Sequence, residues 1–332
     1  MSEVMGSTVT NEDTASVTQI SPPPELALIR SIGPVVLHRL LAHMPRRWRY
    51  LVWHALAGRL IDPVALANMV ERAQRNMATF AANFASTEDL AGIARTHGQE
   101  LRNDYCMVLS GAPDMYRAKS DGFVRLVGHE AFLRDAAEHP TVLLGNHLSA
   151  YHSALIALAA YRLPIHLIAL KPPPDFKRRW SHFEDLGRLY GDPARGPSIP
   201  TIFVPDPTAA FRILRALRKR EPVWSSVDTD IGAATRDGAV SFLGGTVAPP
   251  RALYELAARE GARFYTIDID RAGAASRPWE HRFVVTIAPV SAPTEDLARF
   301  HQERLDAVSE RIRRTPARWT IWRYWFQGAS AP

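Results

Sequence analysis

The chain alternates between short apolar runs and longer segments in which apolar residues recur at helical spacing. Short apolar runs are typical of buried strands, and the longer segments are typical of helices. The predicted strands cover residues 141–144, 165–170, 201–204, 222–227, 262–269 and 282–287, and the predicted helices cover residues 151–161, 209–220 and 249–259. Because strands and helices alternate at this spacing, we predict an α/β fold with a mostly parallel central sheet flanked by helices.

The beginning of the chain lacks this pattern. Residues 2–24 are polar, show no apolar periodicity and end in Pro22, Pro23 and Pro24. We therefore predict a flexible tail over residues 1–24, followed by a single domain over residues 25–332.

Two segments combine arginines with tryptophans and aliphatic residues. The apolar and basic pattern of residues 28–61 predicts two amphipathic helices broken at Pro45. Residues 310–326 form a second basic, aromatic segment. One interpretation places both segments at a membrane surface, where tryptophan and arginine contact lipid headgroups. In the other interpretation, the first segment forms ordinary core-packing helices and the tryptophans of the second close the core.

The charge of the chain indicates an anionic partner, because 40 Lys and Arg residues stand against 34 Asp and Glu residues. The basic residues are interleaved with Trp, Leu and Val, which favours a phospholipid surface over nucleic acid. The single Cys106 excludes an internal disulfide, and the sequence shows neither a secretory signal nor an apolar stretch long enough to span a bilayer. We therefore expect a peripheral protein in the reducing cytoplasm.

Two polar segments, residues 146–152 and residues 228–232, each follow a predicted strand. Reactive groups gather at the carboxyl edge of such sheets, so both segments are candidates for one site. His147 lies between a strand and a helix, which favours a general base with backbone amides of the helix start nearby. Asp228 and Asp230 either orient a histidine or an arginine, or belong to a simple turn.

Other kinds of site are not indicated. His147 and His152 are five residues apart, which is a poor spacing for two metal ligands on a helix. Ser149 lacks the flanking glycines of a nucleophile elbow, so we interpret its hydroxyl as a helix cap. Dinucleotide-binding loops, Walker loops and the zinc-protease motif do not occur in the sequence. We predict neither a metal nor a cofactor.

Four motifs occur in a recognisable order: LLGNH at residues 143–147, PVWSSVDTD at 222–230, FLGGTVAPP at 242–250 and PARWTIW at 316–322. In this order the chain, over residues 28–326, resembles the lysophospholipid acyltransferase superfamily, specifically its bacterial branch of lipid A biosynthesis lauroyl/myristoyl acyltransferases. The resemblance implies transfer of a fatty acyl chain from acyl-ACP or acyl-CoA, as co-substrate, to a hydroxyl or amine of a lipid or glycolipid acceptor. It places the protein at the cytoplasmic face of the bacterial inner membrane.

The resemblance also implies roles for individual residues. His147 falls at the family's general base, and Asp228 lies in its aspartate-bearing segment. The glycine-bearing pocket segment of the family falls on Gly244, Gly245 and Thr246. Substrate-binding roles are further expected for three polar residues, which are Asn146, Lys171 and Asp230.

The sequence departs from the family at the partner of the base. The family motif is H-x-x-x-x-[DE], but the sixth position here is His152. A neutral imidazole supplies no negative charge, so the stabilising carboxylate has to come from elsewhere if His152 is not itself the partner. Asp228 or Asp230 is our candidate. The departure leaves one alternative open, a non-catalytic protein that keeps the fold and binds lipid.

Overall fold

The computed structural model describes residues 40–60, 63–79, 89–117, 123–149, 151–159, 163–170, 199–229, 239–248, 250–273, 277–293 and 296–323. The predicted tail, Lys171, Asp230 and the last aromatic residues at 324–326 lie outside these ranges, and so does the side chain of His152.

A seven-stranded sheet forms the centre of the described part. Its strands are β1 (Val124–Val127), β2 (Thr141–Gly145), β3 (His166–Leu170), β4 (Thr201–Val204), β5 (Val223–Ser226), β8 (Arg263–Ala272) and β9 (Arg282–Val290). Their spatial order is β1-β9-β8-β2-β5-β3-β4. Strands β8 and β9 pair antiparallel, and the other neighbours pair parallel. Two further strands, β6 (Val240–Phe242) and β7 (Gly245–Val247), form a separate antiparallel hairpin.

Helices cover both faces of this sheet. They are α1 (Arg46–Leu60), α2 (Pro63–Thr79), α3 (Leu90–Arg117), α4 (His129–Glu138), α5 (Tyr151–Ala159), α6 (Ala209–Arg218), α7 (Arg251–Arg259) and α8 (Leu297–Arg314). Successive side chains of a strand point to opposite faces, and β2 follows this rule. Val142 and Leu144 belong to the apolar cluster under α6, α7 and α8, whereas Leu143 belongs to the cluster under α1, α4 and α5.

The architecture agrees with the predicted α/β class and its mostly parallel sheet. Strand β1 and the β6–β7 hairpin were not predicted, because their strands are only three or four residues long, too short to show a clear apolar pattern. Strand β8 also runs to Ala272, beyond its predicted end, because it pairs with β9 along its whole length.

The two basic, aromatic segments are partly described. Helix α1 begins directly after Pro45, with Trp53 buried and Trp48 exposed, and the predicted pair of amphipathic helices over residues 28–61 stays a prediction. Trp319 and Trp322 are fully buried in the core, so the headgroup-anchor interpretation is wrong for these two residues. Among the described helices, none combines the length and the hydropathy that crossing a bilayer requires.

Candidate active site

The register of two neighbouring parallel strands brings His147 and Asp228 together. Strand β2 pairs with β5 so that Gly145 stands opposite Ser226. The pairing continues past the strand ends, where the Val227 amide donates to the Gly145 carbonyl at 2.9 Å. Two residues beyond Gly145 and Ser226, the chain therefore places His147 beside Asp228, at the carboxyl edge of the sheet.

Three short contacts join these two residues and their neighbour. Nδ1 of His147 lies 2.8 Å from Oδ1 of Asp228, and the His147 amide donates to Oδ2 at 2.8 Å. The hydroxyl of Thr229 lies 3.3 Å from the same Nδ1. A neutral imidazole has one N–H, and donation of that N–H from Nδ1 to the carboxylate leaves the lone pair on Nε2. The geometry therefore produces a histidine whose Nε2 can accept a proton.

The surroundings hold the imidazole in place. The Tyr151 ring from the first turn of α5 packs edge-on against the His147 ring, with centroids 4.7 Å apart. The His147 side chain keeps 13% of its surface exposed, whereas Asp228 has none. A partly open histidine on a buried carboxylate is the arrangement that a general base requires.

Asp228 is ionised despite its burial. Burial alone raises the pKa of a carboxyl group, but the charge of His147 and the hydrogen bonds from His147 and from the indole of Trp319 outweigh it. The pKa of Asp228 therefore lies below its usual value, and the carboxylate carries the negative charge that position 152 of the sequence cannot supply.

A segment near the C-terminus, residues 316–322, contacts both members of the pair. The indole Nε1 of Trp319 donates to Oδ2 of Asp228 at 2.8 Å. The amide and the hydroxyl of Thr320 both donate to the His147 carbonyl at 2.9 Å. The Arg318 carbonyl accepts from the Ser149 amide, also at 2.9 Å. This segment thus fixes the turn that carries His147.

Asn146 is held on the opposite side of the turn. Its Nδ2 donates to Oδ1 of Asp268 at 2.9 Å, and its Oδ1 accepts from the Leu148 amide at 3.1 Å. Asp268 in turn forms an ion pair with Arg311 of α8. The structure therefore gives Asn146 a place in the frame of the site, and its predicted contact with substrate remains a prediction.

A buried histidine lies behind Asp228. His301 of α8 has no exposed surface, and its Nδ1 lies 2.8 Å from the hydroxyl of Tyr254. Burial lowers the pKa of His301 to about 4, although the Val227 carbonyl and the charge of Asp228 oppose this shift. The pKa of Tyr254 is raised by burial, so its hydroxyl donates to a neutral imidazole.

Four backbone amides among the described residues of the turn have partners within the protein. Those of His147, Leu148 and Ser149 donate to Asp228, Asn146 and Arg318 respectively, and that of Tyr151 donates to the Ser149 carbonyl. Ser149 adopts a φ of 54°, the left-handed conformation that lets the turn enter α5. These four amides are therefore not available to an oxyanion.

The glycine-bearing segment forms the turn of the β6–β7 hairpin. Leu243 and Gly244 have φ values of 49° and 85°, and Gly245 pairs back with Phe242. Two consecutive residues with positive φ are typical of the tight hairpin turn, which explains the glycine. The hairpin reaches the site through Phe242, whose ring packs edge-on against Trp319 with centroids 5.6 Å apart. Thr246 is exposed on β7.

Sequence reasoning placed Asp228 among the candidates but missed four residues around it. Trp319, Thr320, Asp268 and His301 reach the site from elements distant in sequence, and the described contacts that show this are tertiary. For Trp319 and Thr320 the available signal was the PARWTIW motif, which we interpret from the sequence as part of the resemblance and of the basic, aromatic segment, without a contact to Asp228.

Among the described residues, no group of three or more His, Cys, Asp and Glu side chains is arranged to hold a metal ion. In comparisons with protein-family models and with curated proteins, the sequence matches none of them.

Proposed function

We propose that the protein is an acyltransferase that moves a fatty acyl chain from an acyl-ACP or acyl-CoA thioester to a hydroxyl, or an amine, of a lipid or glycolipid acceptor. The observation that carries the proposal is the contact between Nδ1 of His147 and the buried carboxylate of Asp228. The sequence resemblance supplies the reaction class, and this contact supplies a carboxylate in place of the Asp or Glu of the family motif, where this sequence has His152.

In the proposed mechanism, Nε2 of His147 takes the proton of the acceptor hydroxyl while the oxygen attacks the thioester carbonyl. The carbonyl becomes a tetrahedral oxyanion, which the positive end of the α5 dipole stabilises. Collapse of this intermediate breaks the carbon–sulfur bond, and the imidazolium of His147 returns the proton to the departing thiolate. Asp228 stabilises the imidazolium between these two proton transfers.

We further propose that the reaction takes place at the cytoplasmic face of a bacterial inner membrane, with the protein bound peripherally. The exposed Trp48 at the start of α1, next to Arg47, supports contact with an anionic lipid surface. The partners are then a carrier protein or coenzyme A as donor and a membrane lipid as acceptor.

The proposal is tested by incubating purified protein with a labelled acyl thioester and lipid vesicles that contain candidate acceptors, and by following label in the lipid fraction. We expect transfer by the wild-type protein and loss of at least about a thousandfold in His147→Gln. The matched control is His166→Gln, because His166 also pairs with a carboxylate, Oε2 of Glu221 at 2.6 Å. His166 lies at the start of β3, at the amino end of the parallel strands and away from His147.

Equal turnover by wild type and His147→Gln would contradict the proposal. Lipid that copurifies with the protein, without turnover on any acceptor, would instead favour the non-catalytic lipid-binding protein.

Ser149 offers a separate test of direct transfer. Its buried position and left-handed backbone next to the pair raise the question of a covalent acyl-serine intermediate. We expect that intact mass spectrometry after mixing with thioester alone shows no acylated protein. An added acyl mass that disappears in Ser149→Ala would replace direct transfer by a two-step mechanism.

A further inference from the structure

Trp319 reaches the site through Asp228. Oδ1 of the carboxylate lies 2.8 Å from Nδ1 of His147, whereas Oδ2 accepts the indole N–H of Trp319 and the backbone N–H of His147, each at 2.8 Å. The indole has no exposed surface, and its ring packs edge-on against Phe242 and Trp322, with centroids 5.6 Å and 4.7 Å away. Its N–H is therefore fixed in direction.

The backbone around Trp319 is fixed as well. Trp319 forms an antiparallel bridge with Leu148, and the next residue, Thr320, binds the His147 carbonyl twice. On its other side, the segment is attached to the helical layer, because Nδ1 of His97 in α3 lies 2.8 Å from the Ala317 carbonyl. One short stretch of chain thus sets both the position of the His147 backbone and the orientation of its carboxylate.

We propose that Trp319 is a positioning residue for His147: its indole N–H holds Asp228 in the orientation that His147 uses and takes up part of the carboxylate's charge, which sets the basicity of the imidazole. This inference rests on the proposed function only in so far as His147 acts as the base. Charge-assisted hydrogen bonds to a buried carboxylate are among the stronger contacts in a protein, so loss of one changes the pair measurably.

Loss of the Trp319 indole N–H is expected to move the titration midpoint of His147 in one direction. Without the indole N–H, more of the negative charge of Asp228 faces His147 and stabilises the imidazolium. The titration midpoint of the imidazole then moves to higher pH, by roughly half a unit to one unit. We expect kcat/KM to fall about tenfold, because Asp228 no longer holds His147 in the orientation that the reaction uses. A purely structural role for Trp319 would lower activity without moving the midpoint.

Other titratable and charged groups of the described residues also face the His147–Asp228 pair. They are Tyr151, His301, and the ion pair of Asp268 and Arg311 behind Asn146.

The experiment is a histidine titration of the full-length protein by NMR, with the ε1 carbon of histidine labelled and His147 assigned from the signal missing in His147→Gln. The test variant is Trp319→Phe. The matched control is Trp322→Phe, because Trp322 is equally buried but donates its indole N–H to the Pro316 carbonyl at 2.7 Å. We expect a higher midpoint in Trp319→Phe and the wild-type midpoint in Trp322→Phe. Unchanged midpoints in both, or equal shifts in both, would overturn the inference.

A second measurement needs no change at Trp319 and decides the question if Trp319→Phe does not fold. In the wild-type protein, the indole proton of Trp319 has to shift with the midpoint of His147, whereas the indole proton of Trp322 does not. An indole signal of Trp319 that ignores the titration of His147 would also overturn the inference. The result is separable from the proposed function: absence of acyl transfer together with the expected shifts would refute the acyltransferase and leave the role of Trp319 standing.

Discussion

Replacement of Asp228 by Asn tests the His147–Asp228 pair most closely. Asp228 accepts three N–H groups, two from His147 and one from Trp319. The side-chain oxygen of an asparagine can accept the His147 backbone N–H and the Trp319 indole N–H, which both donate to Oδ2 in the wild type. The NH₂ group of the asparagine then faces Nδ1 of His147, and Nδ1 carries a proton in the wild type, so two donors would meet. The imidazole has to move its proton to Nε2, and the base is lost. By analogy with the serine-protease template, we expect kcat/KM to fall by roughly 10² to 10⁴, or about 3–5 kcal/mol.

The assay is acyl transfer measured from pH 5 to pH 9, with Glu221→Gln as control, because that change also removes a carboxylate from a histidine partner, His166. Stability is measured alongside. Because the pKa of Asp228 is lowered in the folded state, its contribution is fully present above the unfolded value near 4 and is lost as the pH falls through the folded value. Turnover of Asp228→Asn within about threefold of wild type, in folded protein, would refute the reasoning that Asp228 supplies the missing charge.

Two further predictions concern stability. The pKa of His301 is lowered by burial to about 4, so the unfolded state binds a proton that the folded state does not, and the free energy of unfolding falls by up to about 3 kcal/mol as the pH drops from about 6.5 to about 4. Urea unfolding of His301→Gln in that range tests this, because an unchanged pH slope would contradict it. In Gly145→Ala, the added Cβ would lie 2.6 Å from the ring of the buried Trp224, and we expect a loss of about 1–3 kcal/mol and of activity. Gly261→Ala is the control, since no atom lies within 4 Å of a Cβ added there and only the φ of +65° opposes the change. We expect it to cost about 1–2 kcal/mol of stability without loss of activity. Equal activity in the two variants would refute the steric argument.

The contact between His147 and Asp228 was within reach of sequence reasoning. Each residue follows a predicted strand, residues 141–144 in one case and residues 222–227 in the other. If the two strands are neighbours and parallel, residues just past their ends lie at the same edge of the sheet, whereas the exact register, with Gly145 opposite Ser226, comes from the structure. The apolar pattern predicted both strands and their direction, and the resemblance drew attention to the aspartate.

The contacts of the C-terminal segment were not within reach. Trp319 follows the long helix α8, and its approach to Asp228 depends on how that helix crosses the sheet. An aromatic, arginine-rich segment is equally compatible with a membrane surface and with a core, because both environments accept tryptophan. Only the packing of Trp319 and Trp322 against each other and against Phe242 decides between the two for these residues.

The proposed transfer of an acyl chain to a lipid by His147 and Asp228 is tested in cells by mass spectrometry of their lipids. Cells that produce the wild-type protein are compared with cells that produce His147→Gln at the same level. We expect a lipid heavier by one acyl group in the wild-type cells, and its loss in the His147→Gln cells. Identical lipid profiles in the two, with both proteins folded and a suitable thioester present, would contradict the proposal.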